Sequence, residues 1–441
     1  MNALKFITCG SVDDGKSTLI GRLLVDSRSV LQDQLASVTS AGAHGAEDEV
    51  DLAALTDGLS AEREQGITID VAWRYFSTQA RKFIIGDSPG HEQYTRNMVT
   101  AASGADAAVV LVDATKLDWR DPALKLLPQT RRHSLLVHLL RVPTIVVAIN
   151  KLDAVEDPAL AFAHIRAQLE GFAAEAGIPL KAVVPISALK GYNVVTAADG
   201  WAGYQGPSLL DLLEHLPNTA AETELPFSFA VQWVEKFSSS ADTSQGRRVF
   251  WGRVATGGVQ VGQTVRVLQG PQGLGQTATV AQVLDHTRQP HAVLAGHSAG
   301  IVLDRELDVS RGDWLLAAGE ATPAADDFDD TPVASPIPVT RELTATVAWL
   351  DNEALVPGRV YWALHGHRWV KAKVRRIVHQ VNIETLAETD AEQLPPNAIG
   401  VVELLLQEPI AALPYTRSRG LGALVLVDTA SHATAGAVML S

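Results

Sequence analysis

The sequence predicts an α/β domain with a mainly parallel sheet, followed by two small antiparallel β-barrel domains. Three observations carry that expectation. Up to residue 217, short β-branched runs alternate with longer amphipathic stretches, as in strand–helix–strand units whose sheet is covered on both faces. From Leu225 onward, short strands follow one another across turns bearing Gly and Pro, with few helix signals. Ala317–Pro338, dense in Ala, Pro and Asp, then reads as a linker between two such strand-rich stretches. The expected domains are 1–217, 225–317 and 339–441, which suits a chain of 441 residues, longer than one hydrophobic core usually spans.

In the first domain the expected strands are Leu4–Cys9, Phe83–Ile85, Ala107–Val112, Thr144–Ile149 and Ala182–Ile186, each a short apolar run rich in β-branched residues. Ala159–Ala176 reads as one of the helices between them, and Thr39–Thr56, rich in Ala, Gly and acids, as a mobile loop. In the first barrel, Arg248–Val254, Thr264–Leu268 and Thr277–Val283 alternate in character about turns such as Gly257-Gly258. A second strand-rich stretch runs from Glu342 to about Met439.

Composition narrows the function classes. At 46% hydrophobic and 20% charged residues the chain is ordinary globular protein. A net charge of −14 argues against a large nucleic-acid footprint, since phosphate contacts need a basic surface. Cys9 is the single cysteine, so neither an internal disulfide nor a cysteine-held zinc or iron–sulfur cluster is expected, in keeping with a reducing cytoplasm. Residues 1–10 carry no signal-peptide pattern, and the longest apolar runs are too short to span a bilayer. A soluble, cytoplasmic protein is expected, with no membrane association and no stable nucleic-acid partner.

Directly after the first strand stand Gly10, Ser11, Val12, Asp13, Asp14, Gly15, Lys16 and Ser17, which match G-x-x-x-x-G-K-[ST], with Thr18 next as a further GTP-binding candidate. The glycines let successive N–H groups face a phosphate chain, Lys16 would reach the β- and γ-phosphates, and Ser17 would ligate Mg²⁺. The helix that begins there adds its positive end. Asp87, Ser88, Pro89 and Gly90 follow a second strand, where Asp87 can reach Mg²⁺ through water and the Gly90 N–H can sense the γ-phosphate. Asn150, Lys151, Leu152 and Asp153 follow a third. There the Asp153 carboxylate can accept from guanine N1–H and the 2-amino group, which adenine cannot offer. Asn150 is expected at the base edge and Lys151 along the ring. Ser187, Ala188 and Leu189 end the last strand, where a backbone N–H can meet guanine O6. Four motifs in this order specify a P-loop GTPase domain using GTP and Mg²⁺. Thr68, within Glu62–Ile69, is the candidate second Mg²⁺ ligand, and His91 is the catalytic candidate that orients the attacking water.

The string "EREQGITID", the D-x-P-G-H motif and two trailing barrels resemble the translation-factor superclass of GTPases. Within it, "GSVDDGKSTLIGRLL", "GITIDVAWRYFSTQARKFIIGDSPGHEQYTRNM", "QTRRHS", "VVAINKLD" and "VSRGDWLL" resemble the large, GTPase subunit of bacterial sulfate adenylyltransferase over nearly the whole chain. The resemblance implies a smaller catalytic partner subunit that joins ATP and sulfate into adenosine 5′-phosphosulfate and pyrophosphate, driven by GTP hydrolysis here. It implies no sulfate or ATP site on this chain, and Ser441 ends it without a second Walker motif, so no fused adenylylsulfate kinase activity is expected. Two departures stand out. Ser88 replaces the family's usual threonine, and Lys116–Pro128, with Trp119, is longer than the family's connection and reads as a surface excursion. Tyr94, Arg96, Arg131, Arg132 and His133 are candidates for carrying the switch state to the partner.

Other signals are weaker. Lys371–Arg376 reads as a solvated barrel face, and His365-Gly366-His367 as a hairpin turn. Two competing functions remain on the sequence alone: an elongation-factor-like GTPase delivering aminoacyl-tRNA, and a stand-alone regulatory GTPase, which leaves the barrels without a task.

Overall fold

The computed structural model describes residues 3–29, 39–40, 49–50, 52, 55, 70–91, 94–236, 248–271, 273–285, 291–319, 335–383 and 385–441. The chain divides into two compact units, Met1–Thr219 with Asn382–Ala387, and Ala220–Val381 with Glu388–Ser441.

The first unit is built on a six-stranded sheet of β1 (Leu4–Cys9), β2 (Ala72–Ser77), β3 (Lys82–Asp87), β4 (Ala107–Asp113), β5 (Thr144–Asn150) and β6 (Leu180–Pro185), in the order β2-β3-β1-β4-β5-β6. All the runs expected as strands are strands. β4 and β5 are buried along their whole length, which explains their unbroken apolar sequences. The parallel pairing has one exception. β2 runs antiparallel to β3, in register from Ala72↔Asp87 to Ser77↔Lys82. The connection between them is a tight turn in which the Thr78 N–H bonds the Arg81 carbonyl at 2.9 Å, far too short for a crossover. As an edge strand β2 buries only Phe76 fully, so its sequence shows no apolar run to betray it.

Five helices matter for the site: α1 (Lys16–Asp26), α2 (Thr95–Ser103), α3 (Pro128–Leu139), α4 (Pro158–Glu175, the expected Ala159–Ala176 helix) and α5 (Leu209–His215). Three begin conventionally. α3 and α4 start on a proline, whose missing N–H costs nothing in a first turn. The Asp157 carboxylate accepts from Leu160 N–H at 3.0 Å to cap α4, and the Ser208 hydroxyl accepts from Asp211 N–H at 3.2 Å to cap α5. α1 differs: it has neither a side-chain cap nor an acid in its first turn, and Gly15 leads into it at φ 90°. Its first N–H groups and positive end are left for something else.

The second unit holds two barrels. Ser228–Lys236, Arg248–Thr256, Thr264–Gln269, Gly273–Leu284, Ser298–Leu303 and Trp314–Ala317 close into one. Val339–Trp349, Val360–His365, Arg368–Val381, Ile399–Ala411, Ala423–Val427 and Thr434–Leu440 form the other, closed because Val360–His365 pairs with both Arg368–Val381 and Ala423–Val427. Ala230, Leu268, Trp314 and Leu316 of the first barrel share one apolar cluster with Ile337, Ala411, Leu413 and Leu421. The linker expected at Ala317–Pro338 lies mostly outside the described residues. So does Thr39–Thr56, of which Thr39–Ser40 pairs antiparallel with Glu49–Val50. Among the described residues no helix is long and apolar enough to cross a membrane.

Candidate functional site

The four motifs sit at the C-terminal ends of β1, β3, β5 and β6, one edge of one sheet, where open α/β sheets place their ligands. After β1 the backbone turns through Gly10 (φ 150°), Asp13 (φ 62°) and Gly15 (φ 90°). At Gly15 a side chain would be strained by that φ and would also strike the Asn150 amide. The Asn150 amide explains the crowding. Its Nδ2 donates to Asp14 O at 2.9 Å and its Oδ1 accepts from Ala188 N–H at 2.9 Å. Asn150 therefore ties the phosphate loop to the Ser187–Leu189 segment, using one N–H and one oxygen lone pair of its amide.

Lys16 is 6% exposed, and its Nζ donates to Ser11 O at 2.7 Å and Gly10 O at 3.3 Å. Burial lowers its pKa, against the pull of the Asp87 and Asp14 carboxylates. The Ser17 hydroxyl lies 3.2 Å from Asp87 Oδ2, and the Thr8 hydroxyl 3.4 Å from Asp87 Oδ1. An oxygen-only pair with one carboxylate suits Mg²⁺, which keeps waters and phosphate oxygens for its remaining positions. Among the described residues there is no His/Cys/Asp/Glu cluster that could hold a metal unaided. Thr68 lies outside the described residues.

Gly90 packs on the loop so closely that a Cβ there would come 2.8 Å from the Ser11 backbone. The Ser88 hydroxyl is buried and donates to Thr8 O, so the serine anchors the motif to β1. His91 is exposed, its ring 6.1 Å from that of Tyr94. Asp153 is partly exposed and Leu152 fully buried, while Leu189 is 53% exposed. Arg22 of α1 holds the Ala188 and Leu189 carbonyls.

Several contributors were not assigned to the site from sequence. Lys116 is the chief one. Its Nζ pairs with Asp14 Oδ1 at 2.9 Å and donates to Val12 O. Burial pushes the Asp14 carboxyl up while Lys116 pulls it down. The rest of the segment is no surface excursion: Leu117, Trp119, Leu124 and Leu126 are all buried, and Pro122 O accepts from Gln168 of α4 at 2.7 Å. Between Ala123–Pro128 and α4 there remains a groove of about 710 Å³, into which Arg131 and Phe172 face. His133 is wholly buried and its Nδ1 accepts from Gly10 N–H at 3.1 Å. Burial drives its pKa to about 3, so it is neutral, and the charges of Lys16 and Arg132 act in the same direction. Gln129 lies 2.8 Å from its other ring nitrogen and 3.4 Å from Gly90 O. The "QTRRHS" string covers Gln129 and His133 without showing that they reach the phosphate loop, and Lys116 stands outside it.

Residues 1–220 match the elongation factor Tu GTP binding domain, and residues 342–440 the GTP-eEF1A C-terminal domain-like family. Sulfate adenylyltransferase subunit 1 of Salmonella typhi is 42% identical over 440 residues, 99% of this chain and 85% of that protein. The chain belongs to the sulfate adenylyltransferase subunit 1 family. Membership places it within the translation-factor class of GTPases. The bifunctional enzyme CysN/CysC of Xylella fastidiosa is 44% identical over 98% of this chain, which spans 65% of that relative's length. Among solved structures, sup35 complexed with GDP aligns over 100% of this chain and 93% of its own at 20% identity and TM-score 0.41.

Proposed function

We propose that this chain hydrolyses GTP with Mg²⁺ at the β1, β3, β5 and β6 strand ends. The hydrolysis drives formation of adenosine 5′-phosphosulfate and pyrophosphate from ATP and sulfate on a smaller catalytic subunit in the cytoplasm. The observation that carries the nucleotide half is the Ser17 hydroxyl facing Asp87 at 3.2 Å, beside a buried lysine, at the start of a helix with no cap of its own. Lys16 exchanges its loop carbonyls for the β- and γ-phosphate oxygens. Ser17, Thr68 and, through water, Asp87 hold Mg²⁺, which when bound neutralises charge on the transferred phosphoryl group. The N–H groups of the Gly10–Thr18 loop cradle the phosphates, Gly90 senses the last of them and His91 orients water. Asp153 reads guanine, Asn150 contacts the base edge while holding the pocket together, and Lys151, Leu152 and Ser187–Leu189 complete it. On this reading the GTPase domain is 1–217, with barrel domains at 225–317 and 339–441.

Family membership supports the sulfate half. The test is sulfate-dependent pyrophosphate release from ATP by this protein purified with its native partner, with and without GTP. Release that requires sulfate and rises with GTP is the expected result. GTP hydrolysis with a bound small subunit but no sulfate-dependent release would show that the client reaction is a different one.

A further inference from the structure

The Ser11–Asp14 stretch of the phosphate loop is gripped from outside by two lysines from different strand ends. Lys151, after β5, donates to Asp13 O at 2.6 Å and pairs with Asp113 at 2.8 Å. Lys116, after β4, holds Val12 O and the Asp14 carboxylate, whose second oxygen accepts from Ser11 N–H at 2.6 Å. In a trans peptide the carbonyl and the following N–H point in opposite directions. Holding Val12 O and Asp13 O therefore turns the N–H groups of Asp13 and Asp14 away from the lysines. The Asp14 N–H lies 3.4 Å from Ser11 O, the same oxygen that Lys16 Nζ approaches at 2.7 Å, so it faces the phosphate lysine's side of the loop. This arrangement embeds a carboxylate that is 0% exposed in a loop whose task is to bind an anion, which is electrostatically adverse unless the charge is met. The nearest cation to meet it is Lys116, whose side chain is 32% exposed and reaches in from the segment expected to be a surface excursion.

We propose that Lys116 is a positioning residue for the phosphate site, neutralising Asp14 and fixing the Val12 carbonyl so that the loop's N–H groups stay turned toward the phosphates. The inference rests on the nucleotide half of the function proposed above. It distinguishes a charge role from simple bracing, because an unmet Asp14 carboxylate repels a ligand in proportion to the ligand's charge.

The experiment is titration of GDP and GTP against the full chain and its variants, with thermal unfolding followed in parallel. Lys116→Met is expected to weaken GDP about tenfold and GTP further, so that the GTP:GDP preference falls. Lys116→Arg should restore both affinities to within about threefold, and Asp14→Asn combined with Lys116→Met should recover the GTP:GDP preference. Asp14→Asn alone removes one negative charge from beside the loop, leaving Lys116 only Val12 O and the Asp113 carboxylate at 3.9 Å, and should shift the preference toward GTP, a readout that stands even if Lys116→Met fails to fold. Equal loss of GDP and GTP in Lys116→Met without recovery in the double variant overturns the proposal, as does an unmoved preference in Asp14→Asn. Unaltered protein that binds neither nucleotide overturns this inference and the nucleotide reading together.

Discussion

His91 follows Gly90, which lies against Ser11 and Lys16, yet its ring is exposed beside Tyr94. A residue that only packed there would matter little to turnover. As the group that orients the attacking water, His91→Ala should keep GTP affinity while hydrolysis falls by about 10²-fold. Single-turnover hydrolysis with nucleotide affinity measured alongside decides it, and unchanged turnover removes His91 from the mechanism. Asn150 and His133 teach a complementary lesson. Both have a polar end engaged by backbone of the phosphate loop, Asn150 at Asp14 O and His133 at Gly10 N–H, so each also shapes the loop. Burial keeps His133 neutral, which is what lets its Nδ1 accept a backbone N–H at all.

Elements are held by less obvious residues than those that line the site. Arg81, 6% exposed, closes the β2–β3 turn and donates to the Leu213, Glu214 and Leu216 carbonyls at the end of α5, and to Asn218 at 2.6 Å. The helix is ending here, and although Leu213 O also takes the Leu216 N–H at 3.4 Å, a single guanidinium caps all three carbonyls. Arg81→Ala leaves them buried without it and should cost about 3 kcal/mol of unfolding free energy. Denaturant titration monitors this, and a loss near zero would mean that water replaces the guanidinium. α1 shows the opposite design: its start is left uncapped, consistent with an anion as the natural cap.

The barrels meet through a hairpin turn. Gly366, at φ 60°, sits where a Cβ would come 2.7 Å from Trp314, and His365 stacks on the Trp314 ring at 5.1 Å. His365-Gly366-His367 is therefore a turn, as expected, but one whose His365 ring is buried against the neighbouring barrel. Burial pulls the His365 pKa from 6.5 to about 4, and Arg368 adds to the shift. The folded chain keeps this ring neutral while the unfolded chain takes up a proton below about pH 6.5. Stability is thus fully present above that pH and falls as the pH drops toward 4, by up to roughly 3 kcal/mol from this residue. Unfolding midpoints between pH 7 and pH 4.5 should decline, and less steeply in His365→Asn. An equal decline in the variant would assign the acid sensitivity elsewhere. The basic run Lys371–Arg376 remains a solvated strand face, with Arg376 paired to Glu403 and Arg375 to Glu342.

How much could be read in advance follows from the range of each interaction. Contiguous motifs at strand ends needed no fold to be recognised: Lys16, Ser17, Asp87 and Asp153 are named by neighbours a few positions away, and the buried strands by unbroken apolar runs. The sheet order, the antiparallel edge strand and the barrel closure rest on pairings that alternate polar and apolar residues weakly. Lys116 meets Asp14 across 102 positions and His133 meets Gly10 across 123, so nothing local marks either as part of the site. The buried Trp119 misled for the same reason, since its carbonyl meets His164 of α4 at 3.0 Å, 45 positions further on. Local chemistry set what the site contains. The three-dimensional packing set what orients it, because burial and charge compensation exist only once distant segments meet.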